Sequence, residues 1–318
     1  MSAPASKPNP RGNSPATYTA WKKAIPPQRD QLQSRALVSL TLPFLIALSF
    51  GILFLCYDFL MHHPGSGEAA ILLTALYVSV FFSLLTIVLR ATTIWAGITG
   101  GMVCLCLMVG SSILILVPAS AFHSALPALF CMVVCTVGAT RWSRKKKERH
   151  GLAEAKTGRR TSQIIANLGI AVAVLVLPYC PFADTALWGP IALTACIAAL
   201  AEAAADTVSS ELGQALRGRT LLFPSLVAVA PGTDGGISVG GTLSGLAAAA
   251  LVVATAVPSL HFSALQCATA YIASVIGLFA DSLLGTTLER RGWIGNDLVN
   301  FSSTAVAAGA ALLLGRLL

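Results

Sequence analysis

The chain has 318 residues, of which 55% are hydrophobic and only 11% charged, and its mean hydropathy is +0.76. A soluble domain of this size needs roughly 25% charged side chains to solvate its surface, so the composition excludes one and indicates an all-α polytopic membrane protein. The net charge of +8 would suit nucleic acid, but the cations gather in short segments between apolar runs. That is an orientation signal for a membrane and argues against a nucleic-acid partner.

Residues 1–35 are polar and rich in Pro and Ser, and they lack the charged-then-apolar order of a cleavable signal peptide. They are expected to form a disordered tail. A span needs roughly 20 mostly apolar residues, and nine runs qualify: 36–60, 69–89, 93–117, 121–139, 162–178, 187–206, 239–257, 264–281 and 298–317. The chain therefore divides into the tail, four N-terminal spans over 36–140, a basic loop over 141–161, and C-terminal spans over 162–318 that carry the candidate site.

With the tail inside, the outer loops 61–68, 118–120, 179–186 and 258–263 contain no Lys or Arg, and every cation except Arg316 falls on the inner side. This one-sidedness favours a cytoplasmic N-terminus and places the polar loops 141–160, 206–240 and 281–297 in the compartment that holds nucleotides. The expected location is a bacterial inner membrane with the site facing the cytoplasm. Eight cysteines lie at 56, 104, 106, 131, 135, 180, 196 and 267 without a C-x-x-C pair, and are read as small packing residues.

The basic loop 141–160 holds nine Lys or Arg against two Glu, which suits contact with anionic lipid headgroups. Its closing pair, Arg159 and Arg160, stands at the mouth of a span, where guanidinium groups offer bidentate donors to phosphate. The next span runs into Ala-Glu-Ala-Ala-Ala-Asp-Thr-Val-Ser-Ser-Glu-Leu-Gly over 201–213. Glu202 and Asp206 are four apart and share a helix face. A carboxylate in a bilayer costs roughly 2.5–3.5 kcal/mol at the centre, so acids retained there have partners. Glu202, deeper in the span, is expected to make a structural helix contact or to join the site.

Arg217 and Arg219 follow, and then Pro-Gly-Thr-Asp-Gly-Gly-Ile-Ser over 231–238. The turn of Gly232, Thr233, Asp234, Gly235 and Gly236 lacks the Lys and Ser/Thr of a Walker loop, but its backbone N–H groups can converge on a phosphate. Gly240, Gly241 and Gly245 are expected to pack helices instead. A second acid, Asp281, closes the eighth run as Asp206 closes the sixth. The two halves look like a direct repeat of a two-span unit that brings both carboxylates to one level, as magnesium bridging a polyphosphate requires. Asn296, Asn300 and Ser303 follow helical spacing at the start of the last run.

The blocks at 160–167, 205–213, 232–238, 280–285 and 296–301, in that order, resemble the integral membrane family that includes plant plastid phytyl-phosphate kinase and animal transmembrane protein 19. Val208 and Ser209 stand where the family more often has Trp-Ala, and Asp234 where it has Asn. The resemblance implies a fold of many spans and, after the plant members, transfer of phosphate from a nucleoside triphosphate to an isoprenoid monophosphate such as phytyl or geranylgeranyl phosphate.

On this reading Asp206, Glu211 and Asp281 hold magnesium, while Gly232–Gly236 with Arg159 and Arg160 cradle the nucleotide phosphates. Arg217 and Arg219 meet the lipid phosphate, and Asn296 and Asn300 orient ligands. The alternative from another class is an ion-coupled transporter or lipid flippase using the same intramembrane carboxylates.

Overall fold

A computed structural model of the chain describes residues 25–62, 67–115, 122–148, 158–181, 183–216 and 218–317. Among these residues the architecture is all-α, with nine helices: α1 (Pro27–His62), α2 (Gly67–Val88), α3 (Ile94–Ile115), α4 (Leu126–Glu148), α5 (Thr161–Val174), α6 (Thr185–Ala215), α7 (Val239–Leu260), α8 (Ala264–Leu284) and α9 (Asn296–Leu317). Eight of them lie in segments long and apolar enough to cross a membrane, α5 by continuing through a short 3₁₀ turn to Tyr179, and α2 contributes the shorter apolar stretch Leu72–Val88. Large side chains such as Phe44, Phe50, Phe54, Tyr77, Phe81, Ile113, Phe130 and Leu251 are exposed on the outer surfaces of these helices. Lipid is the solvent for which such a surface is stable.

The molecule is built around α6. Its apolar window is 89% buried, and it packs against α4, α5, α7, α8 and α9. A helix surrounded in this way has no lipid face to present, and its composition agrees: Ala195, Ala198, Ala199, Ala201, Ala203, Ala204 and Ala205 are all buried. Small side chains let neighbouring backbones approach closely, which drives helix association where lipid removes the hydrophobic contrast. The α6–α7 contact shows this, since a Cβ on Gly245 would stand 2.7 Å from the Ala205 carbonyl oxygen. The packing role expected for Gly240–Gly245 is thus the one observed.

Two features depart from the sequence reading. Residues 27–35, expected in the tail, are the first turns of α1 and are stitched to the loop before α9. Arg29 Nη1 donates to the Gly292 carbonyl at 3.0 Å, Gln33 Nε2 donates to the Trp293 carbonyl at 2.8 Å, and the Gly295 N–H donates back to Gln33 Oε1 at 2.8 Å. Ser34 Oγ donates to Asp297 Oδ2 at 2.7 Å, with both residues buried. The polar residues that resembled a solvated tail are therefore consumed by partners distant in sequence.

The second departure is a small sheet between α6 and α7, with β1 (Thr220–Leu222), β2 (Val227–Val229) and β3 (Gly236–Ile237) in the order β2-β1-β3, all antiparallel. Its register pairs Leu221 with Ala228 on one side and with Ile237 on the other. The sheet fixes where the glycine turn of 231–236 can go.

Candidate functional site

The carboxylates converge where α6, α8 and α9 meet. Glu202 and Asp206 sit one turn apart on α6, and Asp281 reaches them from α8. Asp206 and Asp281 lie within hydrogen-bonding reach of one another. Ser303, fully buried on α9, has its hydroxyl within reach of both Glu202 and Asp281. Room for this meeting is made by Gly277, one turn before Asp281. A Cβ there would fall 2.7 Å from Glu202 Cγ, 2.7 Å from Ala307 Cβ and 2.9 Å from the Ser303 carbonyl oxygen.

Glu289 joins the group from beyond α8. It ends a π-helical turn, Gly285–Glu289, is buried, and faces Asp281 electrostatically. π-Helical turns recur at functional sites because they re-aim side chains within a helix. The sequence reading did not single out Glu289; its one available signal was its position two turns after Asp281.

Arg159 supplies positive charge and faces Asp206 electrostatically. The residue is held in extended backbone by the loop between α2 and α3: its N–H donates to the Ala91 carbonyl at 2.9 Å, and the Thr93 N–H donates to its own carbonyl at 3.0 Å. Arg160 goes elsewhere, as the exposed N-cap of α5, with its backbone N–H donating to Gln163 Oε1 at 2.8 Å.

The glycine turn docks directly on the end of α8. Gly235 has a φ of +74°, a conformation that strains residues carrying a Cβ, and a Cβ there would collide with Thr286 Oγ1 and lie 2.6 Å from the Ser282 carbonyl oxygen. Thr286 Oγ1 donates to the Gly235 carbonyl at 3.4 Å. Because Gly285, which the turn also touches, is four residues after Asp281, the turn is seated one helical turn from that carboxylate. Gly232, Asp234, Gly235 and Gly236 are half-buried, whereas Thr233 is buried and donates through Oγ1 to the Ala230 carbonyl at 2.7 Å.

Glu211 departs from the expectation that grouped it with Asp206 and Asp281. Five residues on from Asp206, it lies about 140° further round α6, and its Oε2 accepts from Ser143 Oγ of α4 at 2.6 Å. Asn300 Nδ2 donates to Asn167 Oδ1 at 3.2 Å, linking α9 to α5 one turn from Ser303. Asn296 and Arg219 are exposed, at the start of α9 and just before β1 respectively. Arg217 lies outside the described residues, as do residues 149–157 of the basic loop.

Among the described residues, no three His, Cys, Asp or Glu side chains are arranged to hold a metal ion unaided. Asp281 Oδ2 and Glu202 Oε1 are nevertheless buried without a hydrogen-bond partner. A buried carboxylate oxygen in that condition is costly until a cation or donor reaches it. Magnesium fits such a site, since it is commonly held by one or two carboxylates together with substrate phosphates and water.

The family profile described as "Integral membrane protein DUF92" matches residues 77–308. An uncharacterized membrane protein of Synechocystis is 33% identical over 178 residues, covering 54% of this chain and 67% of that protein. Protein VTE6, chloroplastic, of Arabidopsis thaliana is 26% identical over 184 residues, 57% of this chain and 55% of its own length. An uncharacterized membrane protein of Methanocaldococcus jannaschii is 33% identical over 165 residues, 51% of this chain and 67% of that protein. No solved structure gives a significant match.

Proposed function

The chain belongs to the DUF92 family of integral membrane proteins, and on that premise we propose that it is a magnesium-dependent isoprenoid-phosphate kinase. The reaction is transfer of the γ-phosphoryl group of CTP or ATP to an isoprenoid monophosphate, such as phytyl or geranylgeranyl phosphate, giving the diphosphate. The observation that carries the reading is the meeting of Asp206 and Asp281 from two different helices, beside a glycine turn and an arginine. The residue blocks that resemble plastid phytyl-phosphate kinase, and the similarity to a chloroplastic plant protein, support the substrate class.

The acceptor itself makes the chemistry tractable. A phosphate monoester has a second pKa near 6, so it is already an anionic nucleophile at neutral pH. One of its oxygens forms a bond to the γ-phosphorus, the bond to the β–γ bridging oxygen breaks, and the nucleoside diphosphate departs with that electron pair. No side chain has to remove a proton. What the protein supplies is positioning and charge neutralisation.

Asp206 and Asp281 are the residues that would hold magnesium, which would supply charge neutralisation at the transferring phosphoryl group. Gly232, Asp234 and Gly235 border the nucleotide phosphates with backbone N–H groups, while the Gly236 N–H donates to the Thr233 carbonyl at 2.9 Å and holds the turn in shape. Arg159, which faces Asp206, meets a nucleotide phosphate, and Arg160 and Arg219, together with Arg217, serve the lipid phosphate. Asn300 and Asn296 lie along α9 toward the same end and orient the ligands. The site faces the cytoplasm of a bacterial inner membrane, the basic loop rests on anionic headgroups, and the isoprenoid chain enters laterally from the bilayer.

The test is phosphate transfer by detergent-purified protein, using labelled CTP or ATP with magnesium and phytyl or geranylgeranyl monophosphate. Labelled diphosphate from the wild type, and none from folded Asp206→Asn or Asp281→Asn, is the expected result. Absence of product with both nucleotides across several chain lengths would overturn the kinase and turn attention to solute flux in sealed vesicles.

A further inference from the structure

The mechanism above leaves Glu202, the most deeply buried acid of the group, without a task. Glu202 is 1% exposed, lies in the most enclosed helix of the molecule, and keeps Oε1 without a hydrogen-bond partner. Gly277 of α8 leaves room against its Cγ, Asp206 faces it from the next turn of α6 and the Ser303 hydroxyl is in reach, whereas the arginine that faces Asp206 is not among the groups acting on it. A structural contact would use both carboxylate oxygens or replace the acid with an amide, because an unneutralised buried carboxylate is destabilising.

The arrangement around it is specific. Glu202 and Asp206 are one helical turn apart, a rise of about 6 Å, and Asp281 interacts with both. Asp281 Oδ2 is likewise a buried oxygen with no hydrogen-bond partner. Ser303, with its hydroxyl in reach of Glu202 and Asp281, adds a neutral oxygen on the inner side. The absence of a side chain at Gly277 opens the space in which these oxygens meet.

We infer that Glu202, Asp281 and the Ser303 hydroxyl form a second, inner divalent-cation position, deeper than the one between Asp206 and Asp281, with Asp281 shared by the two. Two carboxylates and a hydroxyl leave coordination places for water, as magnesium and manganese prefer. The role of the inner ion in catalysis rests on the phosphotransfer reading; its existence does not, and is measured separately.

The experiment counts Mn²⁺ bound per chain by electron paramagnetic resonance titration of the detergent-purified full-length protein, with no nucleotide or lipid phosphate added. Size-exclusion profile and thermal melting serve as folding controls. The expected result is that Glu202→Gln, which preserves shape, binds one ion fewer per chain than wild type, and that Asp281→Asn loses this ion as well. Asp206→Asn keeps it. Equal Mn²⁺ counts for folded Glu202→Gln and wild type would overturn the inner site, as would a wild type that binds no Mn²⁺. If Mn²⁺ binding follows this pattern while transfer assays give no product, the inner site stands and the kinase reading falls.

Discussion

Replacing Gly277 with Ala tests whether the helix packing around the carboxylates sets the chemistry. The new Cβ would sit 2.7 Å from both Glu202 Cγ and Ala307 Cβ and 2.9 Å from the Ser303 carbonyl oxygen. Ordinary contact begins at 3.4 Å, so relief requires a displacement of about 0.7 Å (3.4 − 2.7). Ser303 contributes main-chain atoms to this contact, so α9 must move as a body. Overpacking of this kind costs about 1–3 kcal/mol, and Ala in place of Gly in a helix offsets about 1 kcal/mol of it. The net destabilisation is therefore at most about 2 kcal/mol, and the variant should fold. Function should suffer more, because a misplacement near 1 Å in a reacting constellation lowers rates about 100-fold. The assay is kcat/KM for phosphate transfer together with thermal melting in detergent. Gly309→Ala is the control, since Gly309 lies within α9 with no atom within 4 Å of its would-be Cβ; it should gain about 0.5–1 kcal/mol and keep full activity. A folded Gly277→Ala protein with wild-type kcat/KM would refute the reasoning.

Gly235→Ala, blocked by Thr286 and by a positive φ, should lift the glycine turn from α8 and raise the KM for nucleotide by tenfold or more, about 1.4 kcal/mol; an unchanged nucleotide KM would remove the turn from the phosphate site. Ser34→Ala leaves buried Asp297 Oδ2 without its donor and should lower stability by about 1.5–3 kcal/mol, read as a fall in melting temperature. Glu211→Ala severs the Ser143 tie between α4 and α6 and should likewise lower the melting temperature; an equal value would show that the tie contributes nothing. Chelation of magnesium with EDTA should stop transfer reversibly, with recovery on adding the metal back, and turnover that survives chelation would exclude the metal.

Much of this was legible in the sequence because a membrane leaves few ways to satisfy a backbone. Apolar runs of the right length must be helices, so the all-α architecture and most helix positions follow from composition alone. Asp206 and Asp281 stood out because an acid at the end of an apolar run is expensive unless used. What escaped was what depends on partners. Arg29, Gln33 and Ser34 read as solvated until the carbonyls of 292–293 and Asp297 come to meet them. Strands of two or three residues such as β1 to β3 carry too little alternation to register. Glu211 is close to Asp206 in sequence, but five residues along a helix is nearly the opposite face. Glu289 depends on a π-helical turn, which no pattern in the sequence announces.

The enclosure of α6 bears on how the protein is made. A helix that carries Glu202 and Asp206 enters lipid at a penalty of roughly 2.5–3.5 kcal/mol for a central acid on insertion scales, and its alanines return little of this. Its neighbours relieve the penalty, and two of the helices that pack on both acids' side, α8 and α9, are synthesised after it. Burial of α6 is therefore complete only once α7, α8 and α9 have followed it out of the ribosome. Completion of the site and burial of its central helix are one event in biogenesis, so a chain truncated before α8 should be held as an insertion intermediate and degraded.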